Sequence, residues 1–247
     1  MSDSRGRRAL GLRFSLLLLA CIAAPLVLVS LGVRAPAVSI LWDWSNAMGY
    51  LALALGLMLF IYAGRPRAFP PFSGRFFANL HRDFGYIALV LVAAHIGILI
   101  YAEPLLLEHL KPTAPLYMLA GLGSALLMVV VVLTSVTALR RRLWQDYQRY
   151  RAFHAWLSIA ALVLLLVHVV LSGYYLNSGW KLALCLAVAI AVLGLYLDKR
   201  YVHLRHDRTI QRLRNTSHYS HVLSCGPVLV VLVLSLALVV WSQQVVE

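Results

Sequence analysis

Acidic side chains are scarce in this chain: nine Asp and Glu among 247 residues, against 22 Lys and Arg. Charged residues of both signs together make up 13%, roughly half the share of a soluble domain. A charge density this low excludes an ordinary water-soluble globular domain of any size. Cysteine is equally sparse. Cys21, Cys185 and Cys225 all fall inside apolar runs, with no CxxC or CxxCH, which leaves no support for zinc, an iron–sulfur cluster or a covalently attached porphyrin held through thiolates. No G-x-G-x-x-G occurs, so the chain offers no dinucleotide-binding fingerprint.

Apolar side chains fill the space: 62% of the sequence is hydrophobic and mean hydropathy is +0.81. These values define an all-α integral membrane protein, read as a single membrane domain over residues 1–247. Seven apolar runs, Phe14–Val33, Trp44–Ala63, Phe84–Tyr101, Leu116–Leu139, His154–Tyr175, Trp180–Leu197 and Val222–Trp241, are each close to the ~20 residues needed to cross hydrocarbon. Arg5, Arg7, Arg8 and Arg13 precede the first run as in a signal peptide, and Cys21 follows a faint lipobox. The apolar stretch continues well past Cys21, so an uncleaved anchor is the expectation.

The formal charge of +13 does not point to nucleic acid, because the basic residues sit in the short segments between apolar runs. Assigned to alternate sides, they split 19 to 3. One side holds Arg5, Arg7, Arg8 and Arg13; Arg65, Arg67, Arg75 and Arg82; Arg140, Arg141, Arg142, Arg149 and Arg151; and the basic segment 199–221. The other holds Arg34, Lys111 and Lys181. The positive-inside rule then places the N-terminus in the cytoplasm and the C-terminus outside, in a membrane expected to be a bacterial inner membrane. The third and fifth spans run in the same direction.

Those two spans carry histidines at matched spacing: His81 and His95, then His154 and His168, each pair fourteen residues apart. Fourteen helical residues rotate about 1400°, some 40° short of four turns, and rise about 21 Å. Each helix therefore presents two imidazoles on nearly one face at two depths, and His81 shares a level with His154 as His95 does with His168. Ionisable residues inside a span are costly and point to function. Bis-imidazole ligation of two stacked b-type haems fits the pattern, with the four histidines as axial ligands of the iron. A single metal site is excluded by the separation along each helix, and a proton relay is the poorer fit, because it usually adds buried carboxylates and the spans hold almost none.

Plainer roles stand beside this one. His95 and His168 can serve as polar residues bonded across a bundle, and His81 and His154 as helix-boundary residues beside Arg82 and Arg151. His109, His203, His206, His218 and His221, in loops or at a span edge, read as solvated or headgroup-facing. Arg82, Arg149 and Arg151 are candidates to pair haem propionates, although topology alone accounts for them. Gly85, Ala93, Ala94 and Gly97 would admit a flat macrocycle, and Phe84, Tyr86, Phe153 and Trp156 could wall it. Small residues also serve helix packing, and aromatics also serve the membrane interface.

Arg82-x-x-Gly85 followed by His95, the basic approach Trp144–Arg151, and His154 with His168 together resemble the ferric reductase-like transmembrane domain. That superfamily includes ferric-chelate reductases, NADPH oxidases and the haem subunit of the bacterial periplasmic methionine sulfoxide reductase system. Gly49-Tyr50-Leu51 and Gly64-Arg65-Pro66-Arg67 look like the helix preceding it. The resemblance covers roughly Trp44 to Asp198, with a six-helix haem-binding core placed at 14–198, a basic cytoplasmic loop at 199–221 and an additional helix at 222–241.

What it implies is a dihaem wire with His81, His95, His154 and His168 as ligands, working as the membrane haem subunit of an oxidoreductase. FAD or NAD(P)H would act only through a separate partner. The donor would be a flavoprotein, docked on the basic loop, or a quinol, and the acceptor a ferric chelate or a periplasmic redox protein. The rivals are a haem-free transporter, a structural subunit, and a cytochrome b561-like carrier.

Overall fold

The computed structural model describes residues 2–32, 37–63, 70–201 and 220–244. Among these residues seven helices are long and apolar enough to cross a membrane: α1 (Ser2–Ser30), α2 (Ile40–Ile61), α3 (Gly74–Ala102), α4 (Leu116–Ser135), α6 (Tyr147–Ser172), α7 (Gly179–Tyr201) and α8 (Ser220–Gln244). A short 3-10 helix, Pro104–Leu110, follows α3, and a two-turn helix α5 (Thr137–Leu143) follows α4. Arg34, the turn Gly64–Arg67 and most of the basic loop, with His203, His206 and His218, lie outside the described residues, as does the side chain of His109.

Local chemistry sets the helix ends. Ser73 caps α3, its hydroxyl accepting from the Phe76 amide at 3.3 Å, so α3 starts ten residues before the third apolar run does. The extra turns are held by aromatic packing: Phe76, Phe77 and Leu80 are fully buried, against Phe14, Tyr62 and Phe72. Asp146 caps α6 in the same way, accepting from Gln148 at 2.7 Å, and Gly173 ends it in the left-handed region at φ 62°, where a Cβ would be strained. His81 and His154 are therefore two turns inside their helices.

The fourth apolar run is not one helix to Leu139. It stops at Ser135, turns through Val136 at φ −61°, ψ 128°, and restarts as α5. Thr134 and Ser135 turn their hydroxyls back onto the carbonyls of Val130 and Val131, a side-chain competition that weakens a helix end.

Two tight antiparallel pairs form the frame, α2 against α3 and α4 against α6, with only sparse contact between the pairs. Small residues let α4 approach α6. The Ser124 hydroxyl donates to the Ala161 carbonyl at 2.8 Å, and a Cβ on Gly123 would stand 3.2 Å from Leu164. Close approach of this kind replaces the hydrophobic drive that lipid cannot supply. α1 and α8 pack on the far side of α2 and α3, and α7 packs on α2. Exposed Leu and Val side chains are spread along α1, α4, α6, α7 and α8, as a lipid-facing surface requires.

α8 is tied down at both ends. Near its start His221 Nδ1 lies 2.7 Å from Asp83 Oδ2 and Ser224 Oγ donates to the same oxygen at 3.0 Å. Near its end Gln243 donates to Asp43 at 2.8 Å, and Asp43 also accepts from the Tyr175 hydroxyl at 2.7 Å. His221, read from sequence as solvated, thus pairs with a buried carboxylate of α3.

Candidate cofactor site

The separation of the two helix pairs leaves a cavity of about 1610 Å³ between them, lined by all four span histidines. A pocket for one small molecule is typically ~300–1,000 Å³, so this one has room for more than a single such ligand. His81 and His154 face each other with ring centres 6.1 Å apart and planes at 60°. Two imidazoles on opposite sides of one metal atom, with bonds of about 2.0–2.1 Å and about 1.1 Å from nitrogen to ring centre, stand about 6.3 Å apart. The observed 6.1 Å is close to that value, and it shows the two residues at one depth. His95 and His168 line the same cavity further along α3 and α6.

The second nitrogen of each ring is engaged. Nδ1 of His81 donates to the Tyr62 carbonyl at 3.0 Å, that of His95 to Ser45 at 2.9 Å, and that of His168 to Tyr117 at 2.8 Å. A carbonyl only accepts, so each Nδ1 carries the proton and each Nε2 keeps its lone pair. His154 meets the Ser135 hydroxyl at 3.2 Å instead. That hydroxyl gives its hydrogen to the Val131 carbonyl at 2.6 Å and receives the Tyr150 hydroxyl at 2.9 Å, so its remaining lone pair accepts from His154 Nδ1. Assigned from the hydrogen-bond network, all four histidines carry the proton on Nδ1, the arrangement usual for metal-binding imidazoles.

One device is used twice. On α2 the Ser45 carbonyl takes His95 while Gly49, four residues on, makes room for its ring; a Cβ there would lie 3.3 Å from the imidazole. On α4 the Tyr117 carbonyl takes His168 while Gly121 makes room, with a Cβ only 2.7 Å from Nδ1. α2 buttresses the ligand helix α3 as α4 buttresses α6. The acceptor at Tyr117, the seat at Gly121, Ser135 and Tyr150 were not singled out from sequence. The available signal was a glycine in each preceding apolar run.

Among the arginines, Arg82 and Arg151 line the cavity. Arg149 does not. Its side chain is 83% exposed, 3.7 Å from Asp146. Arg140 of α5 takes a lining place, its guanidinium 5.6 Å and 5.5 Å from the ring centres of Tyr147 and Tyr150. The cationic lining residues thus gather at the His81/His154 end, while Trp42, Asn46, Tyr117 and Tyr174 line the other without a charge.

Gly85 and Tyr86 line the cavity; Ala93, Ala94 and Gly97 lie off it. Phe84 is buried in the core and Trp156 is largely exposed. Phe153 packs on Trp144 with centres 4.8 Å apart. Among the described residues, no three His, Cys, Asp or Glu converge on one point. The histidines act as pairs.

Residues 48–147 match the family model described as the ferric reductase like transmembrane component. The match takes in His81, Arg82, His95, Gly121 and Arg140, and ends at the first residue of α6, before His154 and His168. Domains of this kind are generally redox proteins associated with haem, and the match points to transmembrane electron transfer. No curated protein and no solved structure matches the chain.

Proposed function

We propose that this chain carries single electrons across the membrane, holding two b-type haems in its central cavity, one between His81 and His154 and one between His95 and His168. The observation that carries the reading is the facing of His81 and His154 at 6.1 Å across a cavity whose four histidines all hold their protons on Nδ1. When bound, haem supplies the one-electron chemistry. Every other role belongs to the chain. The Tyr62, Ser45 and Tyr117 carbonyls and the Ser135 hydroxyl fix the imidazoles in the ligating tautomer. Gly49 and Gly121 set the ring positions. Arg82, Arg151 and Arg140 offer carboxylate-binding forks at the His81/His154 end. With two imidazoles assigned to each iron, no coordination position is left for a substrate, so a partner exchanges electrons at the cavity's edge.

The Lys and Arg bias supports an orientation with the His81/His154 end on the cytoplasmic side, and we read the membrane as a bacterial inner membrane. Electrons then enter from a separate flavoprotein or a quinol and leave outward to a ferric chelate or a redox partner protein. The test is reconstitution of the haem-loaded protein into vesicles holding ferricyanide, with dithionite added outside. The trapped oxidant is expected to be reduced with the intact chain and not with His95→Ala. A rate equal to that of protein-free vesicles, with the loaded protein verified in the bilayer, overturns the proposal.

A further inference from the structure

Four buried side-chain polar atoms among the described residues have no hydrogen-bond partner: Trp42 Nε1, Trp44 Nε1, Trp144 Nε1 and Ser178 Oγ. Of these residues only Trp42 lines the cavity. An indole N–H donates and cannot accept, and a buried donor left unmet is costly. This one suits an acceptor brought by whatever fills the cavity.

The helix puts it in a defined place. Seven residues separate Trp42 from Gly49, the seat of the His95 ring, and seven residues turn a helix by about 700°, within some 20° of two whole turns. Trp42 therefore lies on the stripe of α2 that faces His95. Ser45, whose carbonyl takes the His95 proton, is three residues on, so Trp42 stands about 4.5 Å nearer the end of the bundle. Its backbone is fixed on both sides: the Trp42 amide donates to Ser39 Oγ at 3.2 Å, and the carbonyl accepts from Asn46 Nδ2 at 2.8 Å. Asn46 also lines the cavity, and its amide carries a second hydrogen.

We infer that Trp42 is a haem-binding residue, its indole N–H donating to a propionate of the haem held between His95 and His168. The inference rests on the haem-binding reading above. The anionic groups of the porphyrin are its two propionates, and at the His81/His154 end Arg82, Arg151 and Arg140 are there to meet them. The other end has no cationic residue among its described lining, so neutral donors take that role. A hydrogen bond to an ionised acceptor is roughly twice as strong as one between neutral groups. The two haems are thus held by different means, one by guanidinium groups and one by neutral N–H groups.

The experiment follows haem loss to an excess of a haem-scavenging protein from the purified full-length chain, loaded either with haem or with haem dimethyl ester, in which both propionates are masked. His95→Ala identifies the phase that belongs to the His95/His168 site. Trp42→Phe keeps an aromatic ring and removes the donor; Trp44→Phe removes another unmet indole N–H, one that is off the cavity. The expected result is a roughly tenfold or greater acceleration of that phase in Trp42→Phe, the parent rate in Trp44→Phe, and most of the Trp42→Phe effect gone with the ester. Ultraviolet resonance Raman spectra of the parent give a second readout: an indole band is expected to move to its hydrogen-bonded position on loading with haem, and to move less with the ester. A two-haem protein in which Trp42→Phe keeps the parent rate, or loses haem and ester faster by the same factor, overturns this inference and leaves the electron-transfer reading standing. A parent spectrum without the indole shift does the same. A protein that binds no haem overturns both.

Discussion

A methyl group at Gly121 would stand 2.7 Å from His168 Nδ1 and 3.0 Å from its Cε1 and Cγ. Ordinary contact between such atoms is about 3.5–4.0 Å, so Gly121→Ala must drive the ring back by about an ångström. The Nδ1 bond to Tyr117, now 2.8 Å, is then stretched past the ~3.2 Å limit of a good N–H···O bond. Leaving a buried donor unmet costs about 1–3 kcal/mol. If that cost falls on the ligating geometry, haem retention at the His95/His168 site drops roughly 5- to 140-fold.

Gly49→Ala is milder, since its Cβ would lie 3.3 Å from the His95 ring and a shift of a few tenths of an ångström relieves it; less than about 1 kcal/mol is expected. Gly97→Ala is the control. Its Cβ meets nothing within 4 Å, and alanine is the better helix former by about 0.8–1 kcal/mol. The assay is the rate of haem transfer from each purified variant to an excess of a haem-scavenging protein. The expected order of loss is Gly121→Ala, then Gly49→Ala, then Gly97→Ala at the parent rate. Parent-like retention in Gly121→Ala would refute the glycine-seat reasoning.

Further expectations concern the frame around the site. Asp83→Ala strips the acceptor shared by His221 and Ser224; because His221 is half exposed and can turn to water, a loss of about 1–2 kcal/mol is expected, read as a melting point lower by several degrees. An unchanged melt would mean that α8 is not held there. Tyr175, in the connection between α6 and α7, has its phenol pushed above the ordinary tyrosine range, first by burial and then by its bond to the Asp43 carboxylate. A raised folded value means the stabilisation is complete below about pH 10 and is lost as pH climbs above it. The parent melt should therefore fall more steeply in alkali than that of Tyr175→Phe, and parallel curves would contradict this. For topology, with Cys21, Cys185 and Cys225 replaced by alanine, an impermeant thiol reagent outside the cell should label Lys111→Cys and not Arg141→Cys. The reverse pattern would invert the proposed orientation.

The number of spans was legible because each apolar run is long and the loops between them are short. The shared depth of His81 and His154 was legible too, since helical geometry converts equal spacing into equal rise. What sequence reasoning missed lies in the partner helices. Every residue carries a carbonyl, so nothing marks Tyr62 or Tyr117 as an acceptor until packing brings a ring within 3 Å. Gly121 reads as any small residue in a span. Arg140 was hidden for a different reason. The apolar run continues to Leu139, and only the turn at Val136 brings the next residues under the cavity. Arg149, its neighbour in composition and charge, faces away from the cavity and lies 3.7 Å from Asp146 instead.

The most direct test of the central claim is the reduced-minus-oxidised absorption spectrum of the purified chain with a measured haem-to-polypeptide ratio, repeated for His95→Ala and His154→Ala. The account predicts a low-spin b-type spectrum with about two haems per chain, falling towards one in each variant. A folded protein without colour would contradict it.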